Sequence, residues 1–317
     1  MIALSTCWNS GRYRDGEPVI DEIAELGFEA LELSHGLKLG MADGILEGLK
    51  KHPQLKVSSL HNFCPMPASV MVDDPNAYEF SSNNPAEQEN ALTATRRTCE
   101  FAQQLGVTRV VLHLGTVPMP EPERGLNKLI FDGRHETEVY QELLHEARSE
   151  RERLAPLAWQ NVRKCLPLLA EMAEMFGVTF GLENQPRFTD FPLPHELHNV
   201  FSEYPPDHFQ FWLDVGHAQI QDFMGFTPLS HWQEEFGDRL LGFHLHDVRF
   251  PCFDHQYPGL GDVYWDQLRL DKYPETVKVW ELNPNVPHHM VEQGREGLIN
   301  LAAHGPGSLA DPSQPTP

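Results

Sequence analysis

Eight short apolar runs recur along the chain, and most are followed by a stretch whose apolar residues return at helical spacing. The runs cover residues 2–7, 30–34, 56–63, 109–115, 179–184, 209–215, 240–247 and 277–283. Several are almost continuously hydrophobic, as expected for parallel strands buried on both faces. The stretches 18–27, 41–52, 85–106, 158–177, 194–204, 227–237 and 289–304 read as amphipathic helices. Gly27, Gly106, Gly177 and Gly237 end four of them just before the next strand, where a left-handed C-cap stops a helix. Eight strands alternating with helices give either a closed barrel or an open doubly wound sheet. No G-x-G-x-x-G follows the first run, so the dinucleotide-binding sheet lacks support. The expected fold is therefore α/β, a single (β/α)8 barrel over residues 1–304, and 317 residues suit one such barrel with insertions.

One segment breaks the rhythm. Residues 116–156 form a long insertion after the fourth strand, opening with Pro118, Pro120 and Pro122 and turning helical around 135–153. An insertion there lies on the face where barrel enzymes carry their active sites. It is either a lid that touches substrate, or a surface hairpin or oligomer contact. The tail 305–317, rich in Pro, Ser and Gly, is expected to be disordered.

Composition narrows the partners. Forty-six acidic residues against 24 basic ones leave a formal charge of -22, which repels phosphate backbones and anionic lipid. No run approaches 18 apolar residues, and no basic region precedes an apolar run at the start, so neither membrane span nor signal peptide is expected. Cys7, Cys64, Cys99, Cys165 and Cys252 make an odd set without a C-x-x-C pair, which reads as reduced thiols in the cytoplasm.

The chemistry gathers at the ends of the last four runs. The fifth ends in Glu183 and the sixth in Asp214, with His217 close behind. The seventh carries His244, His246 and Asp247, and the eighth Glu281. Glu183, Asp214, His244 and Glu281 are separated by 31, 30 and 37 residues, each about one βα unit, so adjacent staves can bring them together. Each could be merely a polar cap on its strand. Together, however, three ionised carboxylates at the mouth of buried strands would repel one another without a cation among them. Carboxylate-rich ligation with an imidazole suits one divalent ion such as Mn, Mg, Co or Zn. His244 and His246 lie two apart on one strand face, so spacing leaves both open as the imidazole.

The motifs Gly-Leu-Glu-Asn (181–184), Leu-Asp-Val-Gly-His-Ala (213–218), His-Leu-His-Asp (244–247), Pro-Gly-Leu-Gly-Asp (258–262) and Trp-Glu-Leu-Asn (280–283) occur in this order. Gly-Phe-Glu-Ala-Leu-Glu-Leu (27–33), Ser-Leu-His (59–61) and Val-Leu-His-Leu-Gly (111–115) precede them. The series resembles the xylose-isomerase-like TIM-barrel superfamily of sugar phosphate isomerases and epimerases, inosose dehydratases and family 2 AP endonucleases. The resemblance implies a metal held by Glu183, Asp214, His244 and Glu281. It favours His244 over His246 because the family pattern is a histidine three residues before an acid, here Asp247. It also implies that Glu183 and Glu281 form an acid–base pair on opposite faces of a ketose, passing through an enediolate.

Several residues are expected around the substrate: His217 on an oxygen, Arg249 on a hydroxyl or charged group, and His61, His113 and His255 on hydroxyls. In the endonuclease branch, histidines at the places of His61 and His113 bind further zinc ions, and His255 falls near a ligand position, so a second metal is the alternative for these three. Trp8, Phe63, Trp212 and Trp280 could wall a sugar ring or simply pack in the core. The expected activity is a metal-dependent isomerase or epimerase of a sugar or cyclitol, acting by proton abstraction next to a carbonyl in carbohydrate metabolism. The alternatives are a dehydratase or lyase on the same site, an AP-endonuclease-like phosphodiesterase, and a non-catalytic sugar-binding subunit. Self-association into a homo-oligomer is left open.

Overall fold

The computed structural model describes residues 1–305. Eight parallel strands close into a barrel: β1 (Ile2–Ser5), β2 (Ala30–Leu33), β3 (Lys56–His61), β4 (Arg109–Leu112), β5 (Thr179–Glu183), β6 (Phe209–Asp214), β7 (Leu240–Leu245) and β10 (Val277–Trp280). Every barrel strand pairs with its neighbours in sequence, and β10 closes the ring onto β1. All eight apolar runs are strands, each ending one to three residues before its run does. In most runs the residues left beyond the ladder include a polar one, such as Ser34, Asn62, His113, Asn184, His246 and Glu281.

Around the ring lie α1 (Gly16–Glu25), α2 (Ala42–Lys51), α3 (Pro85–Leu105), α6 (Pro194–Glu203), α7 (Val215–Met224), α8 (Leu229–Phe236) and α9 (His288–His304). Side-chain caps start several of them. Asn84 accepts from the Ala86 N–H ahead of Pro85, and Asp214 accepts from the His217 N–H at 2.7 Å. Gly27, Gly106 and Gly177 take the left-handed conformation expected of them. Gly237 does not: at φ -56 it is right-handed and leads into a short 3-10 turn.

The insertion differs from expectation in one respect. Its first helix, α4 (Pro122–Phe131), is separate, but the charged stretch that follows belongs to α5 (Glu138–Phe176), a single helix of 39 residues running through Pro156 and Pro167. No break separates the insertion from the barrel helix. Packing outweighs the lost hydrogen bonds, because Arg151, Ala155, Ala158, Cys165, Leu166 and Leu169 form one buried face. Buried Arg151 makes a two-pronged ion pair with Glu196 at 2.8 and 3.0 Å and donates to the carbonyls of Phe188 and Asp190. These bonds fix α5 to the loop between β5 and α6. From the other side, Phe131 and His135 reach the rings of Phe253 and Phe250. The insertion thus spans from the fourth strand to the loop beyond the seventh.

That loop holds an antiparallel hairpin absent from the sequence reading, β8 (Asp247–Arg249) with β9 (Phe253–Gln256). Asp247 organises it. One carboxylate oxygen accepts from the N–H groups of Val248 and Val263, the other from those of Gly259 and Gly261. The Pro-Gly-Leu-Gly-Asp motif is therefore a loop wrapped round a buried carboxylate.

Two layers fill the barrel. Ala3, Ala30, Val111, Trp212, Val277 and Val279 form an apolar cluster apart from the main core. Alternate residues of a strand share a face, so the face bearing this plug continues two residues later as Ser5, Glu32, His113, Asp214 and Glu281. The polar layer rests directly on the apolar one.

Candidate metal centre

Glu183, Asp214, His244 and Glu281 converge, each offering one donor atom, and these atoms all lie within 4.8 Å of one another. All four are buried, the most open being Glu281 at 4%. The barrel register delivers them. Asp214 pairs with His244 across β6 and β7, and a register shift after Phe211 is what brings these two opposite each other. Asn184 braces Asp214, its side-chain amide bonding both the N–H (2.8 Å) and the carbonyl (2.9 Å) of that residue.

The imidazoles fall into groups that share carboxylates. Glu183 divides its oxygens: Oε1 faces His244 Nδ1 at 2.7 Å, while Oε2 faces His113 Nε2 at 2.7 Å and His61 Nε2 at 3.2 Å. His61, His113 and Glu183 form a second group with metal-ligand spacing, and His217, His246 and His255 a third. His246 thus takes a different place from His244. Its Nε2 lies 3.0 and 3.1 Å from the two Asp214 oxygens, and its ring stacks on His255 at 4.2 Å. His35, which the sequence reading passed over, completes a group with His61 and Glu281. Its Nδ1 is held by Asp73 from the loop after β3.

Electrostatics follow from burial and proximity. Burial opposes the charge of Glu183, yet His244, His113 and His61 outweigh it and hold this carboxyl well below its usual range. Burial likewise works against Glu281, and His244 and His255 again prevail. His244 lies between carboxylates, and although burial disfavours its charge, Glu281, Glu32 and Glu183 raise its pKa well above normal. For His113 burial wins and lowers it to about 4. The site is a lattice of anions balanced by imidazoles. Three buried carboxylates and an imidazole within such a radius are a donor set that fits a divalent ion of the zinc, manganese or cobalt kind.

Among the other expected residues, His61, His113, His217 and His255 line the cluster. Arg249 does not join it. It lies exposed on the hairpin, where its backbone pairs with Phe253. Trp8, Phe63, Trp212 and Trp280 are at most 2% exposed and serve as core, although Trp212 meets the His244 ring edge at 5.1 Å. All five cysteines are free thiols. The tail expected to be disordered lies, beyond Gly305, outside the described residues.

Glu32 is a second site residue that sequence reasoning missed. It is fully buried and bonds His244 Nε2, Ser5 and Ser59. Its signal was an acid in the middle of the apolar run Ala-Leu-Glu-Leu.

Comparison with known proteins agrees with this architecture. The family model described as xylose isomerase-like TIM barrel matches residues 20–271. No curated protein matches the chain. A D-tagatose 3-epimerase-like protein superposes with a TM-score of 0.66 at 17% identity, over 95% of this chain and 97% of that one. The 3-keto-D-glucoside 4-epimerase YcjR from E. coli gives 0.62 at 15% identity, over 94% and 98%. The IOLI protein with a bound zinc atom gives 0.58 at 15% identity, over 95% and 97%. At these identities the likeness is one of fold.

Proposed function

The chain belongs to the xylose isomerase-like TIM-barrel family, and from that premise we propose that it is a metal-dependent isomerase or epimerase of a sugar or cyclitol that moves a proton next to a carbonyl. The observation that carries this reading is the convergence of Glu183, Asp214, His244 and Glu281 on one buried point. These four residues would hold the ion. Two of the structural neighbours are described as sugar epimerases or epimerase-like, and a third carries zinc, which supports the same reading. When bound, a divalent ion at this place supplies positive charge beside a carbonyl and its neighbouring hydroxyl and lowers the cost of an enediolate.

The protein groups divide the remaining work. Glu281 is the better-placed base, being the most open of the four and having two imidazole nitrogens within 4 Å where Glu183 has four. Glu183 is its acid–base partner in this reading. His217 contacts a substrate oxygen, with its Nδ1 anchored on the Asn184 carbonyl at 3.1 Å. His113 and His255, at the outer edge, meet hydroxyls. The test is solvent deuterium exchange into a panel of keto-sugars with metal present. Label enters the carbon next to the carbonyl in the wild type, and Glu281→Gln lowers the rate by roughly 100-fold or more. Absence of exchange across the panel overturns the reading. An ultraviolet-absorbing enone would instead mark elimination by a lyase.

A second reading is favoured by one observation, the division of the Glu183 oxygens between two ligand groups. A carboxylate so placed can bridge two ions, which is the arrangement of a multi-metal phosphodiesterase. Metal counting per chain together with cleavage of an abasic oligonucleotide tests it. The charge of -22 opposes such a substrate.

A further inference from the structure

We propose that Glu32 is a positioning residue for the metal centre, fixing the tautomer and direction of the His244 imidazole from a non-adjacent strand across the barrel. This rests on the metal reading above. Glu32 lies on β2 and His244 on β7, and His244 Nε2 lies 3.1 and 3.2 Å from the two Glu32 oxygens, almost evenly shared. Each oxygen also accepts one hydroxyl, Oε1 from Ser5 at 3.1 Å and Oε2 from Ser59 at 2.8 Å. The carboxylate is fully buried, and among the described residues its hydrogen-bond partners are these three groups.

An ionised carboxylate can only accept hydrogen bonds. The imidazole nitrogen facing it must therefore carry the hydrogen. An imidazole that binds an ion is neutral and has one N–H, so in that state Nδ1 is the lone pair. Nδ1 is the atom that faces Glu183, Asp214 and Glu281, at 2.7, 3.9 and 3.3 Å. A buried acid beneath a metal-binding histidine is the arrangement that sets ligand orientation and basicity.

The backbone is built to hold Glu32 in this place. Ser5, Glu32 and Ser59 are register partners on three adjacent strands. The pairing of β2 with β3 shifts after Leu31, so Ser59 rather than Ser58 stands opposite Glu32. Ser58 instead turns its hydroxyl to the Leu31 carbonyl at 2.9 Å. The irregularity thus aims a donor at the carboxylate.

The experiment strips the full chain of metal with a chelator and titrates it with zinc or cobalt against a competing chelator, without substrate. Glu32→Gln is close in shape, but its amide can present N–H to Nε2 and so favour the tautomer that blocks Nδ1. We expect it to bind the ion roughly 10–100-fold more weakly than wild type, while the metal-free variant unfolds at nearly the wild-type midpoint. A merely structural role would lower the metal-free midpoint and leave the affinity alone. If Glu32→Gln does not fold, Ser59→Ala is read in its place, with an expected loss of roughly 10-fold, the low end of the effect of such supporting groups. Affinity within twofold of wild type, in whichever variant is read, overturns the proposal. A wild-type chain that binds no ion overturns the metal reading and this proposal together, whereas failure of the isomerase assay bears on the reaction alone.

Discussion

At the scale of single residues, the site depends on a missing side chain as much as on those present. Gly216 opens α7 directly against His246, and a Cβ there would overlap the imidazole ring. His246 in turn faces both Asp214 oxygens and accepts the His255 N–H at 2.9 Å. Gly216→Ala should therefore cost about 1–3 kcal/mol from overpacking, read by denaturant unfolding, and weaken metal binding. Combining it with His246→Ala relieves the overlap, so the double variant should recover much of that stability relative to the sum of the singles. Strict additivity would show that the ring is not what Gly216 accommodates. The pattern Asp-Val-Gly-His was legible as a motif, but the reason for its glycine was not. The ring it admits comes from a strand one βα unit later.

At the scale of elements, Glu123 ties α4 to the rest of the mouth. It accepts the Phe188 N–H at 2.6 Å, and burial pushes its carboxyl from 4.5 up to about 7. An acid with a raised folded pKa holds its proton more tightly in the folded chain than in the unfolded one. Its contribution is then complete below about pH 4.5 and is lost as pH rises through about 7. Glu123→Gln keeps the acceptor and removes the titration. Between pH 5 and pH 8 the variant should gain about 1–3 kcal/mol relative to wild type, measured as the difference between their unfolding free energies. An unchanged difference would mean that Glu123 titrates normally. Elements were legible where burial imposes a pattern: strands covered on both faces read as apolar runs, and their polar ends marked Glu183, Asp214, His244 and Glu281. The hairpin β8–β9 escaped because its residues are short and polar, and contacts to Asp247 from up to 16 residues away shape it. The continuity of α5 escaped because proline normally ends a helix, and here one packed face overrides it.

For the whole molecule, the site is a concentration of charge in the centre of an acidic protein. The formal charge is -22, and among the described residues no helix is long and apolar enough to cross a membrane. An ion held by three buried carboxylates and an imidazole from four staves would link strands far apart in sequence, so occupancy should stabilise the whole barrel. Free ion at 100 times its dissociation constant adds about 2.7 kcal/mol, a rise of a few degrees in melting temperature. Chelation should remove that gain and added zinc, manganese or cobalt restore it. A melting temperature indifferent to both would argue against the centre. Glu32 shows what a single sequence does not display: its partner His244 is 212 residues away, on a stave that comes near it only when the barrel closes through β10 and β1.

The unbroken course of α5 also limits how the protein can be altered. At 1.5 Å per residue its 39 residues extend about 58 Å, with one end at the mouth and the other in the outer wall of the barrel. The insertion is therefore no detachable cassette. Excising 116–156 would cut a wall helix in two and discard Arg151, the anchor of α6 and its preceding loop. An engineer transplanting the mouth of this protein onto a relative would have to exchange everything from Pro122 to Phe176, joining the graft in the loop before Pro122 and at the short turn after Phe176.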